Sequence, residues 1–409
     1  MEDTVDVAVV GSGPAGCSAA IMLGRSGLRV ALLEAHCDPD HYKRLCTHSL
    51  RSSVLPTLKR LGITEDLEQC GAVTSNDALW TRYGWLQVSH PHMPISHGYN
   101  VSRRVLDPLM RTTAAAVPTV KLMRGARVRD LTFDADGRAS GVVADTNGSQ
   151  RHIGAKLIVG ADGFSSTVAR LASMPGHISP NNRFLYSAEY LDIKIPKGRT
   201  TALWFLERDV AYVFRNENDV TLLTVMPAKD RLPKFHQNRE AALLEMFANL
   251  SDGPDLTNAK RISNIIGTVN YPSITRKRIV APGVALVGDA AMVGDPLWGT
   301  GCAWGFQTAE WLSDAVADAL HSGCLNDIDA AARRYQRQHR RRVLPHQLIN
   351  IDFAKRLRLN PLHRFIFAAG ARDPRIASAV LEVGSRNKSP FTLLSPPLVA
   401  RAALARVRP

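Results

Sequence analysis

The sequence predicts an α/β fold that is α+β overall, in which a parallel sheet comes first and antiparallel strands are inserted later. Short apolar runs at Val7–Val10 and Val30–Leu33 carry no polar alternation, which is typical of parallel strands buried on both faces. An alanine-rich segment from Ala15 to Gly24 lies between them and suits a helix packed on that sheet. Between residues 180 and 275, β-like runs alternate with turn signals, which predicts antiparallel strands.

The turn between the first strand and its helix carries the spacing G-x-G-x-x-G. Gly11 permits a tight turn, Gly13 lets a pyrophosphate approach the backbone, and Gly16 lets the helix pack close to the strand. Pro14 and Ala15 open the helix, whose N-terminal N–H groups and positive dipole end attract phosphate. The unit therefore reads as a Rossmann-like dinucleotide-binding unit.

The predicted dinucleotide-binding unit ends in an acidic residue. Glu34 ends the second strand, where a carboxylate can accept hydrogen bonds from ribose hydroxyls and disfavours a 2′-phosphate. The ligand predicted is FAD or NAD rather than NADP, and the turn alone does not separate the first two.

The charge of the chain predicts anionic ligands. Its 51 Lys and Arg against 37 Asp and Glu give a formal net charge of +14, which attracts a dinucleotide or an anionic substrate. The densest basic run, Arg333–Arg342, is interpreted as a solvated helix face, because Ile328, Ala332, Tyr335 and His339 fall on one apolar stripe. No nucleic-acid-binding motif or set of stacking aromatics is present, so we expect no nucleic-acid partner.

Other classes lack support in the sequence. No apolar segment reaches the roughly 18 residues of a membrane span, so no integral membrane segment is expected. The first strand begins almost at the N-terminus without a charged leader, which predicts a cytoplasmic protein. The cysteines at 17, 37, 46, 70, 302 and 324 form no C-x-x-C pair, so we expect free thiols and no metal site.

Two further stretches identify the family. The first stretch, residues 155–172, predicts a strand followed by the turn Asp162-Gly163; its sequence is "AKLIVGADGFSSTVARLA". The second stretch, residues 283–316, predicts a strand that ends at Gly288-Asp289, then a loop, then a helix from about Thr300. Its sequence is "GVALVGDAAMVGDPLWGTGCAWGFQTAEWLSDAV". In this order after the glycine turn, they resemble the flavoprotein aromatic hydroxylase superfamily, which includes para-hydroxybenzoate hydroxylase-like and geranylgeranyl-reductase-like enzymes. The resemblance covers about residues 5 to 320.

The resemblance implies a Rossmann-like FAD-binding domain with non-covalent FAD. Asp289 would hydrogen-bond the ribityl chain, and the following helix would point its N-terminus at the flavin, where positive dipole charge stabilises the reduced anion. The cofactor-contacting residues implied in this segment are Gly288, Asp289, Pro296, Gly299, Thr300 and Gly301. Asp162 would lie near the FAD and nicotinamide region, often with a structural role.

The resemblance also implies arginines against FAD. Arg103 in "VSRRVLDPLM" matches the family's diphosphate-contacting arginine, with Arg104 as the neighbouring candidate, and Arg44 lies in the loop after the ribose-binding strand. Cys46 and His48 in that loop are residue types to which some families attach flavin covalently, although loop packing is the preferred interpretation.

The chain divides into three predicted parts. The FAD-binding domain takes residues 1–75, 100–179 and 276–342, and the antiparallel substrate-binding sheet takes 76–99 and 180–275. Residues 343–409 form a helical C-terminal segment, expected to pack over the FAD-binding domain. Trp298, Trp204 and Tyr212 are candidate substrate contacts, since aromatics recur in the loop near the flavin and along the antiparallel strands.

The resemblance makes an NAD(P)H-dependent monooxygenase the leading function. It would use O₂ to hydroxylate or epoxidise an aromatic or conjugated small molecule, in specialised metabolism. Because only one dinucleotide turn is present, NAD(P)H would bind transiently.

The alternative is a reductase or dehydrogenase of the geranylgeranyl-reductase type, acting on a carbon–carbon bond. Met292 stands where aromatic hydroxylases carry histidine, and "DPLWGTGC" replaces their usual loop, which leaves the reaction type open. A halogenase is disfavoured because its W-x-W-x-I-P motif is absent. A non-catalytic flavoprotein is a more distant alternative.

Overall fold

The computed structural model describes residues 3–87, 97–146 and 148–407, so part of the predicted segment 76–99 lies outside the described residues. The strands are β1 Asp3–Val10, β2 Val30–Glu34, β3 Ser49–Leu50, β4 Val73–Thr74, β5 Asp77–Thr81, β6 Gly84–Leu86, β7 Tyr99–Asn100, β8 Val120–Arg124, β9 Ala126–Phe133, β10 Ala139–Thr146, β11 Ser149–Gly160, β12 Gly176–Ser179, β13 Leu185–Leu191, β14 Thr201–Phe205, β15 Val210–Arg215, β16 Thr221–Met226, β17 Lys260–Arg261, β18 Ile266–Thr268, β19 Ser273–Arg276, β20 Val280–Ala281, β21 Val284–Leu286 and β22 Met292–Val293. The helices are α1 Pro14–Arg25, α2 Leu55–Leu61, α3 Thr64–Gln69, α4 Arg103–Ala115, α5 Thr167–Leu171, α6 Leu232–Gln237, α7 Arg239–Ala248, α8 Gly301–Ser322, α9 Leu325–Lys355, α10 Pro361–Gly370, α11 Pro374–Gly384 and α12 Pro396–Val407.

The first sheet has the strand order β20-β21-β11-β1-β2-β8 and is parallel from β21 to β8. Strands β9 and β10 extend it in antiparallel fashion from β11. Helix α1 connects β1 to β2 and packs against α4 and α8. The apolar runs of β1 and β2 are fully buried, because both faces of the sheet are covered. The predicted α/β fold with a Rossmann-like unit is confirmed.

The second sheet has the order β17-β13-β16-β15-β14-β5-β6, with β18 also paired to β13. It is antiparallel except between β14 and β5. Its side chains alternate between two apolar clusters, so that Tyr212 and Phe214 of β15 lie on one face and Ala211 and Val213 on the other. Helices α6 and α7 cover the second face. Both faces of this sheet are therefore buried by helices.

The C-terminal helices cover the first face of that sheet, and the turn after α11 also contacts the expected FAD-binding domain, where Asn387 Nδ2 donates to Ser52 Oγ at 2.8 Å and Arg386 lies over the ring of Trp304. Ile366 and Phe367 of α10 and Ile376 and Val380 of α11 belong to the same cluster as Tyr212. This apolar face of the second sheet requires a partner, and the FAD-binding sheet is already covered by α1 and α8. Helix α9 continues from Leu325 to Lys355, straight through position 342 where the C-terminal segment was expected to begin.

A buried arginine joins the end of α9 to the second sheet. Arg183 is 4% exposed and its guanidinium donates to the carbonyl oxygens of Arg208 (3.0 Å), Phe353 (2.7 Å) and Arg356 (2.8 Å), and also to that of Glu207. Burial lowers the pKa of Arg183, although Asp295 opposes the change. The charge is thus held by carbonyl dipoles.

We expect Arg183→Met to lower the free energy of unfolding by about 3 kcal/mol, because four carbonyl acceptors lose a charged donor inside the protein. Urea denaturation monitored by far-UV circular dichroism measures the change. Arg82→Met is the control, since Arg82 is solvent-exposed and its ion pair with Glu207 should contribute less than about 1 kcal/mol. Equal effects of the two substitutions would contradict the role given to Arg183.

Candidate active site

A cavity of about 540 Å³ opens at the carboxyl ends of the parallel strands. β1, β2 and β11 deliver the residues that follow them to its wall, as expected for an open parallel sheet. The predicted residues that line it are Gly11, Gly13, Pro14, Ala15, Glu34, Arg103, Asp162, Gly288, Asp289, Pro296, Gly299 and Gly301. Those that do not line it are Gly16, Arg44, Thr300, Trp298, Trp204 and Tyr212.

The glycine turn forms one end of the cavity. Gly11 has a φ of +99°, and a Cβ on Gly16 would lie 1.8 Å from the Gly11 carbonyl oxygen, so Gly16 acts by close packing beneath the wall. A Cβ on Gly13 would lie 3.9 Å from Nη2 of Arg103. Any side chain at Gly13 would therefore fill the gap between the turn and this guanidinium, a gap suited to a diphosphate.

Arg103 is fixed in this position by a buried carboxylate. Its Nε and Nη2 donate to Asp107 at 2.5 and 2.9 Å. Burial alone would lower the pKa of Arg103, but Asp107 outweighs it and the pKa is raised. Arg104 instead points outward and pairs with Glu189 at 3.0 Å. Asp107 stands four residues after Arg103, so one turn of α4 brings the carboxylate to the guanidinium.

Glu34 lies beside the turn. Its carboxylate accepts hydrogen bonds from the Ser12 N–H (3.1 Å), the Ser12 hydroxyl (2.6 Å) and the His36 N–H (2.9 Å). Burial would raise the pKa of Glu34, but these donors outweigh it and the pKa is lowered. The carboxylate therefore stays ionised as an acceptor at the place expected for a ribose. His36 and His41, whose rings stack with centroids 3.5 Å apart, line the same end and were not predicted.

Asp289 forms an ion pair with Lys43, a residue that was not predicted from the sequence. Lys43 Nζ lies 2.9 Å from Asp289 Oδ2, and this carboxylate is the largest cause of the raised pKa of Lys43. Arg44, the predicted residue of this loop, is exposed and outside the cavity wall. The backbone N–H of Lys43 is bonded to Asp107 (3.1 Å), which turns Lys43 inward and its neighbour outward. Lys43, and not the predicted Arg44, is therefore the basic residue of this loop that lines the cavity.

Two cysteines face each other in the cavity wall. Cys46 comes from the loop after β2 and Cys302 from the first turn of α8, and their thiols share a hydrogen bond. The bond from Cys302 lowers the pKa of Cys46, with further help from Arg103 and His48, and the pKa of Cys302 is raised. Cys46 is thus the more acidic thiol of the pair, and Cys302 holds its proton more tightly. His48, the other covalent-attachment candidate, is buried and outside the cavity lining.

The loop before α8 is clamped by Arg51. Its Nη1 contacts Asp77 at 2.6 Å, and its Nε and Nη2 donate to the Trp298 carbonyl oxygen at 3.0 and 2.6 Å. The indole of Trp298 turns away from the cavity and packs edge-on against Phe205 and Phe353. Gly299 then turns the chain at a φ of +61°, and buried Thr300 precedes the helix.

The other two substrate candidates also lie away from the cavity. Trp204 faces the α6–α7 side of the second sheet, where its Nε1 donates to the Ser251 carbonyl oxygen at 3.0 Å. Tyr212 faces the C-terminal helices and its hydroxyl donates to the Leu297 carbonyl oxygen. Among the described strands of this sheet, β13 alone lines the cavity, through Leu185 and Ser187.

Asp162 combines a cavity position with a structural task. Its carboxylate accepts hydrogen bonds from the Ser166 hydroxyl (2.5 Å) and the Val168 N–H (3.1 Å), at the start of α5. Burial raises its pKa despite these donors. Both oxygens are thus engaged in ordering the helix start.

Together these features define a dinucleotide-binding flavoprotein. The chain belongs to the family described as FAD binding domain, whose family model matches residues 4–343. FAD is its cofactor, and the cavity fits that group, with the turn and Arg103 suited to the diphosphate and Glu34 to the ribose. The protein is a flavin-dependent oxidoreductase.

Several characterised proteins are similar to this chain. Digeranylgeranylglycerophospholipid reductase 1 of Methanococcoides burtonii is 26% identical over 78% of this chain and 76% of that protein. Menaquinone reductase of Mycolicibacterium smegmatis is 25% identical over 83% and 82%. The 6-hydroxy-3-succinoylpyridine 3-monooxygenase HspB of Pseudomonas putida is 25% identical over 79% and 81%.

The fold is shared with solved flavoprotein structures. The flavin-dependent brominase Bmp2 superposes with a TM-score of 0.80 over 98% of both chains at 18% identity. None of the helices in the described ranges is both long enough and apolar enough to cross a bilayer.

We expect Asp289→Ala to weaken FAD binding by about one to two orders of magnitude, because a charged acceptor contributes roughly 1.5–3 kcal/mol. Flavin titration of the deflavinated protein, followed by fluorescence quenching, measures the affinity. Asp145→Ala is the control, as Asp145 near the end of β10 forms a solvent-exposed ion pair with Arg129. A lowered melting temperature with unchanged FAD affinity would remove Asp289 from the cofactor site.

Cys46 should react with iodoacetamide at neutral pH faster than an ordinary thiol, because its lowered pKa leaves more thiolate. Cys302→Ala removes the hydrogen bond that stabilises this thiolate, so the pKa rises and alkylation slows. Cys302→Ser keeps a donor and should retain most of the rate. Peptide mass spectrometry of the deflavinated protein measures all three rates, and equal rates would exclude the thiol pair.

Proposed function

We propose that this enzyme is a FAD-dependent reductase that adds hydrogen across a carbon–carbon double bond of an apolar, isoprenoid-type or conjugated substrate, with NAD(P)H as the reductant. The thiol pair of Cys46 and Cys302 carries this proposal. Saturating a double bond requires a hydride at one carbon and a proton at the other, and a protonated thiol beside the cofactor cavity is a proton source.

The cofactor and the residues of the cavity have different roles in this reduction. Bound FAD supplies the hydride. Cys302 Sγ gives its proton to the carbon that does not receive the hydride and is left as a thiolate beside Cys46. Arg103 and Lys43 lie close enough to lower the pKa of both thiols, which limits the cost of an anionic pair. Solvent then restores the proton.

The same thiols argue against routine oxygen activation. A thiolate is readily oxidised by hydroperoxides. An enzyme that formed such species in this cavity would expose Cys46 to oxidation in each cycle. The similarity to two reductases, one named for a digeranylgeranylglycerophospholipid and one for menaquinone, supports a substrate with an isoprenoid chain.

The second candidate is an NAD(P)H-dependent monooxygenase that hydroxylates or epoxidises an aromatic or conjugated small molecule in specialised metabolism. The similarity to the HspB monooxygenase favours it. Both candidate functions use non-covalent FAD and transient binding of NAD(P)H, since the sequence carries one glycine-rich dinucleotide turn.

The two reactions differ in product mass and in their need for O₂. We expect the holoenzyme, reduced with NADPH, NADH or dithionite under argon, to convert a geranylgeranyl lipid to a product heavier by two hydrogens. Cys302→Ala should slow product formation more than flavin reduction, and Cys302→Ser should not rescue it, because a hydroxyl is a much weaker acid. Products that gain one oxygen, formed only in air, would overturn the reductase in favour of the monooxygenase.

A further inference from the structure

The outer face of the last helix carries no polar side chain among its described exposed positions. In α12, Ala402 and Ala405 are buried and Leu398 and Arg401 are half-buried. At 3.6 residues per turn the exposed positions fall on one continuous arc of about 160°. These positions are Pro396, Pro397, Val399, Ala400, Ala403 and Leu404. A helix that is apolar on both faces calls for a second apolar environment.

The turn before α12 extends this surface. Phe391 is 66% exposed and Leu394 51%, while Leu404 and Val399 are 62% and 37% exposed. Single exposed apolar side chains are ordinary, but these four lie within fourteen consecutive residues. We call the surface formed by 391–404 the C-terminal apolar face.

Basic side chains lie close to this face in the chain. Residues 343–409 contain eleven Lys and Arg and three Asp and Glu, so this segment carries +8 of the net +14. Lys388 and Arg375 are exposed, and Arg401 is bonded to Asp373 at 2.7 Å, which holds the α11 start beside α12. Apolar side chains rimmed by basic ones match the interface of an anionic membrane.

We propose that the C-terminal apolar face docks the protein on an anionic lipid bilayer, with Phe391 and Leu404 entering the boundary between headgroups and acyl chains. A second copy of the chain is disfavoured as occupant, because it would bring two segments of +8 together. An acidic protein is disfavoured because the arc offers no polar group to fix the register of a partner. This association does not depend on which bond the flavin reduces.

The test is cosedimentation of the full-length holoprotein with vesicles of phosphatidylcholine or of equimolar phosphatidylcholine and phosphatidylglycerol. We expect binding to the anionic vesicles and weaker binding as salt rises. Phe391→Glu combined with Leu404→Glu should lower the partition coefficient by at least about tenfold. Phe133→Glu, at a 53% exposed position on β9, is the matched control and should bind as the unmodified protein does.

Other outcomes would overturn the proposal. It fails if the unmodified protein leaves both vesicles unbound, or if the paired variant sediments like the control at an unchanged melting temperature. A dimer split by the paired substitutions without vesicle binding would assign the face to a second copy. Binding of polyglutamate but not vesicles would assign it to an acidic protein. NAD(P)H oxidation with a soluble acceptor, measured on the same samples, reports on the flavin site independently.

Discussion

The approach of helix α1 to strand β1 is the constraint on which the site depends. At Gly11 and Gly16 the helix and the turn are so close that a Cβ at position 16 would clash with the Gly11 carbonyl oxygen, 1.8 Å away. This contact directs the helix N-terminus into the cavity and aligns Gly13 opposite Arg103. The parallel strands then bring Glu34 and Asp289, which are far apart in sequence, to the same edge.

Charge in the cavity is arranged by pairing. Asp107 orients both Arg103 and the backbone of Lys43, and Lys43 in turn contacts Asp289. The cavity is therefore positive where a diphosphate is expected and neutralised where the ribityl chain would lie. The thiol pair sits beside this network, and its cations lower the pKa of both thiols, although the hydrogen bond between the two thiols is the largest cause of the shifts. One network thus supports both cofactor binding and the proposed proton source.

The basic residues of the C-terminal segment serve a different surface. They belong to helices that cover the first face of the second sheet, while α6 and α7 cover its second face. This coverage explains why the aromatic side chains of β14 and β15 stabilise the protein and do not reach the cavity. It also leaves the outer side of α12 as an apolar surface with charged surroundings, suited to a membrane interface.

The sequence by itself determined the elements and motifs that act locally. The glycine turn and Glu34 were found because each is tied to the end of a periodic strand or the start of a helix, and Arg103 and Asp289 were found through motifs that resemble those of a known family. The tertiary structure decided what lies in irregular loops or depends on packing partners. Lys43 rather than Arg44 turns inward because Asp107 of α4 binds the loop backbone, and Cys302 gains its role only opposite Cys46. Trp204 and Tyr212 could be placed on alternate faces by parity, but which helices cover those faces depends on long-range burial, which no local pattern encodes.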